Sequence, residues 1–170
     1  MADVNIYFDK LLIHEGGYQC DEHDSANWYK GELLGTNMGV CPATYAQYLK
    51  RDVTVSDMEN ITMDTVKNIL KWQFWDVVKA DQIKSQSVAE SITDMVWSSW
   101  IRGIKRVQMV LGVTQDGKFG PATLAAVNSQ DPETLFNKLQ ASRIEYINLH
   151  CPNEFRRGQI NRVNSEKFTE

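Results

Sequence analysis

Apolar residues recur along most of this chain at the three- and four-residue spacing of helices, and sustained two-residue alternation is missing. Val4, Phe8 and Leu11 lead to Glu15 at steps of four, three and four. A helix is therefore predicted over residues 3–15, with the glutamate ending its apolar stripe and Gly16-Gly17 stopping it. Residues 18–41 lose this period and read as a long irregular loop with room for a short hairpin, and loops of that length are usually functional. Pro42 opens a helix predicted to reach about Lys50, and Thr62 caps another that carries Val66, Ile69, Leu70 and Phe74. Ser87 and Glu90 make a capping-box pattern for a helix from Val88 towards Trp100, and Ile104, Val107, Val110 and Leu111 continue the period until Gly112. Pro121 opens a short helix, Asp131-Pro132-Glu133 caps a longer one, and Cys151-Pro152 ends it before a final basic segment. The predicted fold is mainly α, with at most a small β-hairpin after the first helix. Trp72, Trp75, Trp97 and Trp100 fall on helical patterns and are expected in the core, whereas Trp28 sits in the irregular loop.

Composition narrows the function classes. With 170 residues and 42% apolar content the chain can bury a sizeable core, as one domain or as two small halves. Its 18 Lys+Arg against 22 Asp+Glu give a net charge of −4, which provides no positive field for a nucleic-acid backbone. The apolar runs are too short to insert in a membrane, and the start MADVNIYFDKLL lacks the basic, apolar and cleavage regions of a signal peptide. Cys20, Cys41 and Cys151 are an odd set that fits reduced thiols, with a Cys20–Cys41 bridge after export as the alternative. Cys20-x-x-His23 has ligand-type residues but matches no closed zinc spacing even with Cys41, so no metal is expected. A cysteine-peptidase reading of Cys20 with His23 or His14 lacks an orienting motif.

Glu15 carries the most chemistry. A carboxylate in the last turn of a helix feels the negative end of the dipole, and the apolar side adds desolvation, so both effects raise its pKa and prepare a general acid. Gly16-Gly17 removes side chains where a bulky polymer must approach, and Tyr18 offers a flat surface for sugar rings. The competing structural account is a plain glycine-terminated helix with a solvated glutamate.

His14-Glu15-Gly16-Gly17-Tyr18 resembles the Glu-Gly-Gly-Tyr signature of glycoside hydrolase family 108, the lysozyme-like N-acetylmuramidases. Thr36-Asn37-Met38-Gly39-Val40, Phe74-Trp75-Asp76 and Lys79-Ala80-Asp81-Gln82-Ile83 resemble further segments of that family, in the same order. Gln108, Leu111-Gly112-Val113, Asp116-Gly117 and Gly120-Pro121-x-Thr123-Leu124 resemble the helical peptidoglycan-binding region that accompanies it. The resemblance spans roughly Tyr7 to Val163 and is also to secretion activator proteins, in which local opening of peptidoglycan lets large proteins pass.

The resemblance implies a lysozyme-like helical fold, with a muramidase region over residues 1–92 and a peptidoglycan-binding region over 93–165. It implies Glu15 as the catalytic residue, with Gly16, Gly17, Tyr18, Thr36 and Asn37 as substrate-contacting candidates, to which Trp28 is added for its place in the irregular loop. Cleavage of the β-1,4 bond between N-acetylmuramic acid and N-acetylglucosamine needs a proton for the leaving oxygen, and no cofactor. A second carboxylate is sought among Asp21, Asp24 and Glu32, and Asp24 is preferred. A lytic transglycosylase, which needs one protein acid, and a non-catalytic peptidoglycan-binding protein remain open. Two departures stand out. Asp21-Glu22-His23-Asp24-Ser25-Ala26-Asn27-Trp28 replaces an Asp-Pro-x-Asp-Pro-Gly-Gly type of loop, and Trp97-Ser98-Ser99-Trp100 replaces an Asn-Ser-Gly junction. Asp94, one turn before Trp97, is placed to line a cleft or to pair between helices. Arg156, Arg157 and Arg162 read as a solvated helix face or as contacts for muramyl carboxylates and stem peptides. The partner expected is peptidoglycan, with no protein partner identifiable. The chain is expected to be made in the cytoplasm and to act on the cell wall or periplasm after release or export.

Overall fold

The computed structural model describes residues 1–11 and 16–169. Its described residues are mainly helical, with one two-stranded antiparallel sheet following the first helix, which is the predicted fold class. None of these helices is long and apolar enough to cross a membrane. The chain forms two compact units, Asn5–Gln73 and Phe74–Glu170, the second joined by Met1–Val4.

In the first unit, helix α1 (Val4–Leu11) buries Tyr7 and Phe8, whose ring centroids lie 6.3 Å apart. The rest of the helix expected as far as Glu15 lies outside the described residues. Strands β1 (Trp28–Tyr29) and β2 (Glu32–Leu33) form the hairpin, pairing Trp28 with Leu33 and Tyr29 with Glu32. Its turn residues Lys30 and Gly31 both have positive φ, 50° and 86°, as the two-residue turn that suits strand twist demands. Helix α2 (Pro42–Leu49) starts at Pro42 as predicted, and the left-handed Lys50 closes it. Helix α3 (Val55–Glu59) was not expected; a reciprocal capping box between Thr54 and Asp57 builds it. Arg51 grips the same Asp57 through both guanidinium nitrogens, and this pairing holds the carboxyl well below the usual range. Thr62 caps helix α4 (Met63–Leu70), which places Val66, Ile69 and Leu70 in the core before a π-helical turn, Lys71–Trp75.

In the second unit, helix α5 (Gln86–Ser99) is buried almost all round, as a central helix must be. Its cap is Ser85, which accepts from the Val88 amide. The expected cap Ser87 lies inside the helix, and its buried hydroxyl instead donates to the Thr169 carbonyl at 2.7 Å. At the other end of the chain Asp3 exchanges two hydrogen bonds with the Gln86 amide, at 2.7 and 3.0 Å. Helix α6 (Ile101–Leu111) follows with one intervening residue, Trp100, and ends at Gly112 in the left-handed conformation. The two helices approach so closely at Gly103 that a Cβ there would lie 2.1 Å from the Met95 carbonyl oxygen. Helices α7 (Pro121–Ser129), α8 (Pro132–His150) and α9 (Asn153–Ser165) complete the unit, and Asp131 caps α8 through the Thr134 amide.

Of the four tryptophans expected in the core, Trp75 is fully buried and Trp97 half-buried, but Trp72 and Trp100 are 46% and 48% exposed. Helical period places a residue on a face without saying whether another element covers that face. Gln108 explains another motif. Its buried amide donates to Asp116 at 2.7 Å, to the Lys118 carbonyl and to Thr123, and accepts the Gly117 amide. These residues thus close the loop between α6 and α7, and the Gln108 bond holds the Asp116 carboxyl below its ordinary value.

Candidate active site

Glu15 lies outside the described residues, so the site is built from the segment that leaves it. Gly16 and Gly17 are exposed, and among the described residues a Cβ on either would meet nothing within 4 Å. Bare backbone leaves this approach open from solvent.

Tyr18 follows with its ring against Gly35, and its hydroxyl donates to the Leu34 carbonyl at 3.2 Å. Gly35 has φ +78°, and a Cβ there would sit 2.5 Å from Tyr18 Cε2 and 2.7 Å from the Gln19 carbonyl oxygen. The hydrogen bond with Cys20, aided by desolvation, pushes the phenol pKa up to about 12, so Tyr18 stays neutral at physiological pH. Gly35→Ala is expected to cost about 2 kcal/mol, from left-handed strain and a clash that one partner, being backbone, cannot relieve. Denaturant unfolding checks this; an unchanged midpoint would mean that the turn relaxes freely.

Next, Gln19 and Thr36 exchange backbone hydrogen bonds at 2.8 Å each way, fastening the segment after Tyr18 to the one before Asn37. The Gln19 side chain then organises the loop. Its amide nitrogen donates to Asp24 Oδ2 at 3.1 Å and Asn27 Oδ1 at 3.0 Å, and its oxygen accepts from Asn27 Nδ2 and the Asp21 amide. Asn27 is fully buried, and its carbonyl accepts the amides of Leu34 and Gly35. Sequence reasoning missed both Gln19 and Asn27, because a buried amide pair has no periodic signature.

The remaining candidates hang on this frame. Asp24 caps the short 3-10 turn Ser25–Asn27, its Oδ1 accepting from the Ala26 amide at 3.0 Å while Oδ2 accepts from Gln19. Asp21 accepts from the backbone amide and ring of His23, and these bonds hold its carboxyl below the ordinary value. Glu32 is exposed on β2. Trp28 is 43% exposed, and its indole is fixed by donating to the Glu22 carbonyl at 2.9 Å. Asn37 is buried and donates to the carbonyls of Met58 and, more distantly, Glu59, so its amide anchors the loop to α3. The Thr36 hydroxyl is buried without a hydrogen-bond partner among the described residues. Gln19 thus fastens Asp24 by its side chain and Thr36 by its backbone, while Asn37 is held by α3 and Trp28 by the Glu22 carbonyl. In the second unit, Asp94 pairs with Arg143 at 2.9 Å. The three cysteines carry free thiols, and no cluster of metal-ligating side chains forms among the described residues.

Comparisons with known proteins agree with this architecture. The family model described as Glycosyl hydrolase 108 matches residues 8–99, and that of a Predicted Peptidoglycan domain matches residues 102–163. Among solved structures, that of Brucella abortus SagA is similar, with a TM-score of 0.78 and 27% identity over 95% of this chain and 89% of that chain. A comparison with curated proteins gives no match. The Glu-Gly-Gly-Tyr motif thus opens a region that the family model spans together with the closed loop and the first unit's helices, and the chain belongs to the glycosyl hydrolase 108 family, as a lysozyme-like glycosidase that acts on peptidoglycan.

Proposed function

We propose that this chain is an N-acetylmuramidase in which Glu15 protonates the oxygen leaving the β-1,4 bond between N-acetylmuramic acid and N-acetylglucosamine. The observation that carries this reading is the position of Gly16-Gly17-Tyr18. They run from Glu15 into a loop closed on Gln19 and Asn27, with backbone open to solvent at the glycines. In this reading residues 1–92 perform the cleavage and residues 93–165 hold the polymer. Tyr18 and Trp28 offer ring faces to the sugars. The enzyme reaches the cell wall by release or export, and local opening of the wall there assists secretion or lysis.

The second carboxylate is assigned to Asp24. Its two oxygens already accept neutral donors, and this favours a second reading in which Glu15 alone acts and the substrate's own groups supply the rest, as in a lytic transglycosylase. Asp24→Asn separates them, because asparagine still caps the turn but carries no charge. A catalytic Asp24 predicts a loss of at least about 100-fold in Asp24→Asn. A purely structural one predicts near wild-type rates in Asp24→Asn and a loss of about 1 kcal/mol of stability in Asp24→Ala. Digestion of purified peptidoglycan, with mass spectrometry of the products, tests the overall reading. Reducing N-acetylmuramic acid ends support a muramidase, 1,6-anhydro ends support the transglycosylase, and retained polymer binding without release overturns both.

A further inference from the structure

The second unit holds a cleft of about 280 Å³ between α5, α8 and α9, lined by apolar Met95, Trp97 and Ile147 and by several charged groups. Most of those charges are already matched. Arg143 donates to Asp94, Glu166 and Gln140, while Arg106 donates to the Ser142 carbonyl at 2.6 Å and to Glu145 at 2.9 Å. Arg162 differs. Its ion pair with Asp94 is long, 3.8 Å and so beyond hydrogen-bond length, and its side chain keeps 28% of its surface exposed. One turn earlier on α9, the exposed Gln159 also faces the cleft. The basic C-terminal cluster is therefore not a uniformly solvated face, because Arg162 opens onto a built cavity.

The lining also decides what kind of guest fits. A sugar ring needs an open aromatic face, but Tyr146 is packed by Arg106, 5.0 Å from its centroid, and by the stacked His150 ring at 4.2 Å. Trp97 is half-buried, with its ring meeting Phe74 edge to face at 4.7 Å. What the cleft offers is an apolar floor for small side chains, one guanidinium held only by a long ion pair to Asp94, and one carboxamide. Those groups complement an extended peptide bearing free carboxylates. We propose that this cleft binds the peptide stem of peptidoglycan, with Arg162 taking a stem carboxylate and Gln159 a peptide amide. The proposal rests on the chain's action on peptidoglycan and adds a preference for glycan that still carries its stems.

Co-sedimentation in the cold tests it, using whole sacculi and glycan strands stripped of stems by an amidase. Wild type should bind sacculi about tenfold more tightly than stripped strands, the scale of one charge-assisted contact. Arg162→Ala should reduce that ratio to about twofold with unchanged affinity for stripped strands, Arg162→Lys should keep part of it, and the exposed Gln159→Ala should lower it without affecting folding. Equal binding of both polymers by wild type, or equal weakening on both by Arg162→Ala, overturns the proposal. Muropeptide release by the same wild-type sample is read separately. Preference without release leaves the subsite standing and removes the muramidase reading, and release without preference does the reverse.

Discussion

Glu15→Gln is expected to lower muropeptide release by about a thousandfold while changing the affinity for sacculi less than twofold. The size follows from the role, since a positioned general acid contributes about 10²–10⁴ to the rate, and glutamine keeps the shape but has no such proton to give. A residue used only in the transition state lowers kcat and leaves binding alone. The wild-type rate should fall as pH rises through the Glu15 pKa, because the acid must be protonated to act. A variant that still releases muropeptides at a tenth of the wild-type rate would remove Glu15 from the proton transfer and return attention to Asp24.

The features legible in the sequence are those whose causes lie within a few residues of each other. Pro42, Thr62, Gly112, Pro121 and Asp131 each mark a helix end because the capping group and the amide it serves are neighbours. Thr54 and Asp57 sent the same kind of signal, but the helix they start is five residues long, too short for apolar periodicity to register. The choice of Ser85 over Ser87 was not local. Ser87 is engaged by Thr169, 82 positions away, and no sequence window holds both. Trp100 shows another limit. It occupies the corner between α5 and α6 with φ 51° and ψ −128°, a strained backbone for an aromatic residue, and keeps its ring 5.2 Å from that of Phe74. Nothing in the helical period through Trp97 announces a corner there. The candidate site divides in the same way. The Glu-Gly-Gly-Tyr run is contiguous and readable, whereas the frame that shapes its loop depends on Gln19 finding Asn27, eight residues on, and on Asn37 reaching α3.

Arg143→Met is expected to destabilise the second unit by about 3–5 kcal/mol, the usual consequence of removing one member of a buried ionic cluster. The methionine keeps much of the stem's packing, so the loss isolates the charge. Arg143 joins Asp94, itself buried, to Glu166, and Glu166 begins a tail in which Phe168 packs on Phe136 and the Thr169 amide donates to Ser87. Burial pushes the Glu166 pKa up, against the opposing pull of Arg143. A carboxyl whose folded pKa is raised adds stability below its unfolded value, near the ordinary glutamate pKa, and loses that contribution as pH rises through the folded value. Without the guanidinium the folded value rises further and the ionised form becomes costlier. Thermal unfolding should therefore show a larger gap between variant and wild type at about pH 7 than at about pH 4, where Glu166 is largely protonated in both. Arg143→Met with Glu166→Gln should recover part of the loss at the higher pH, since the second change removes the stranded charge. An equal gap at both pH values would mean that the Glu166 charge contributes nothing to the loss, and the tail would then be held by Phe168 and Thr169 rather than by Glu166.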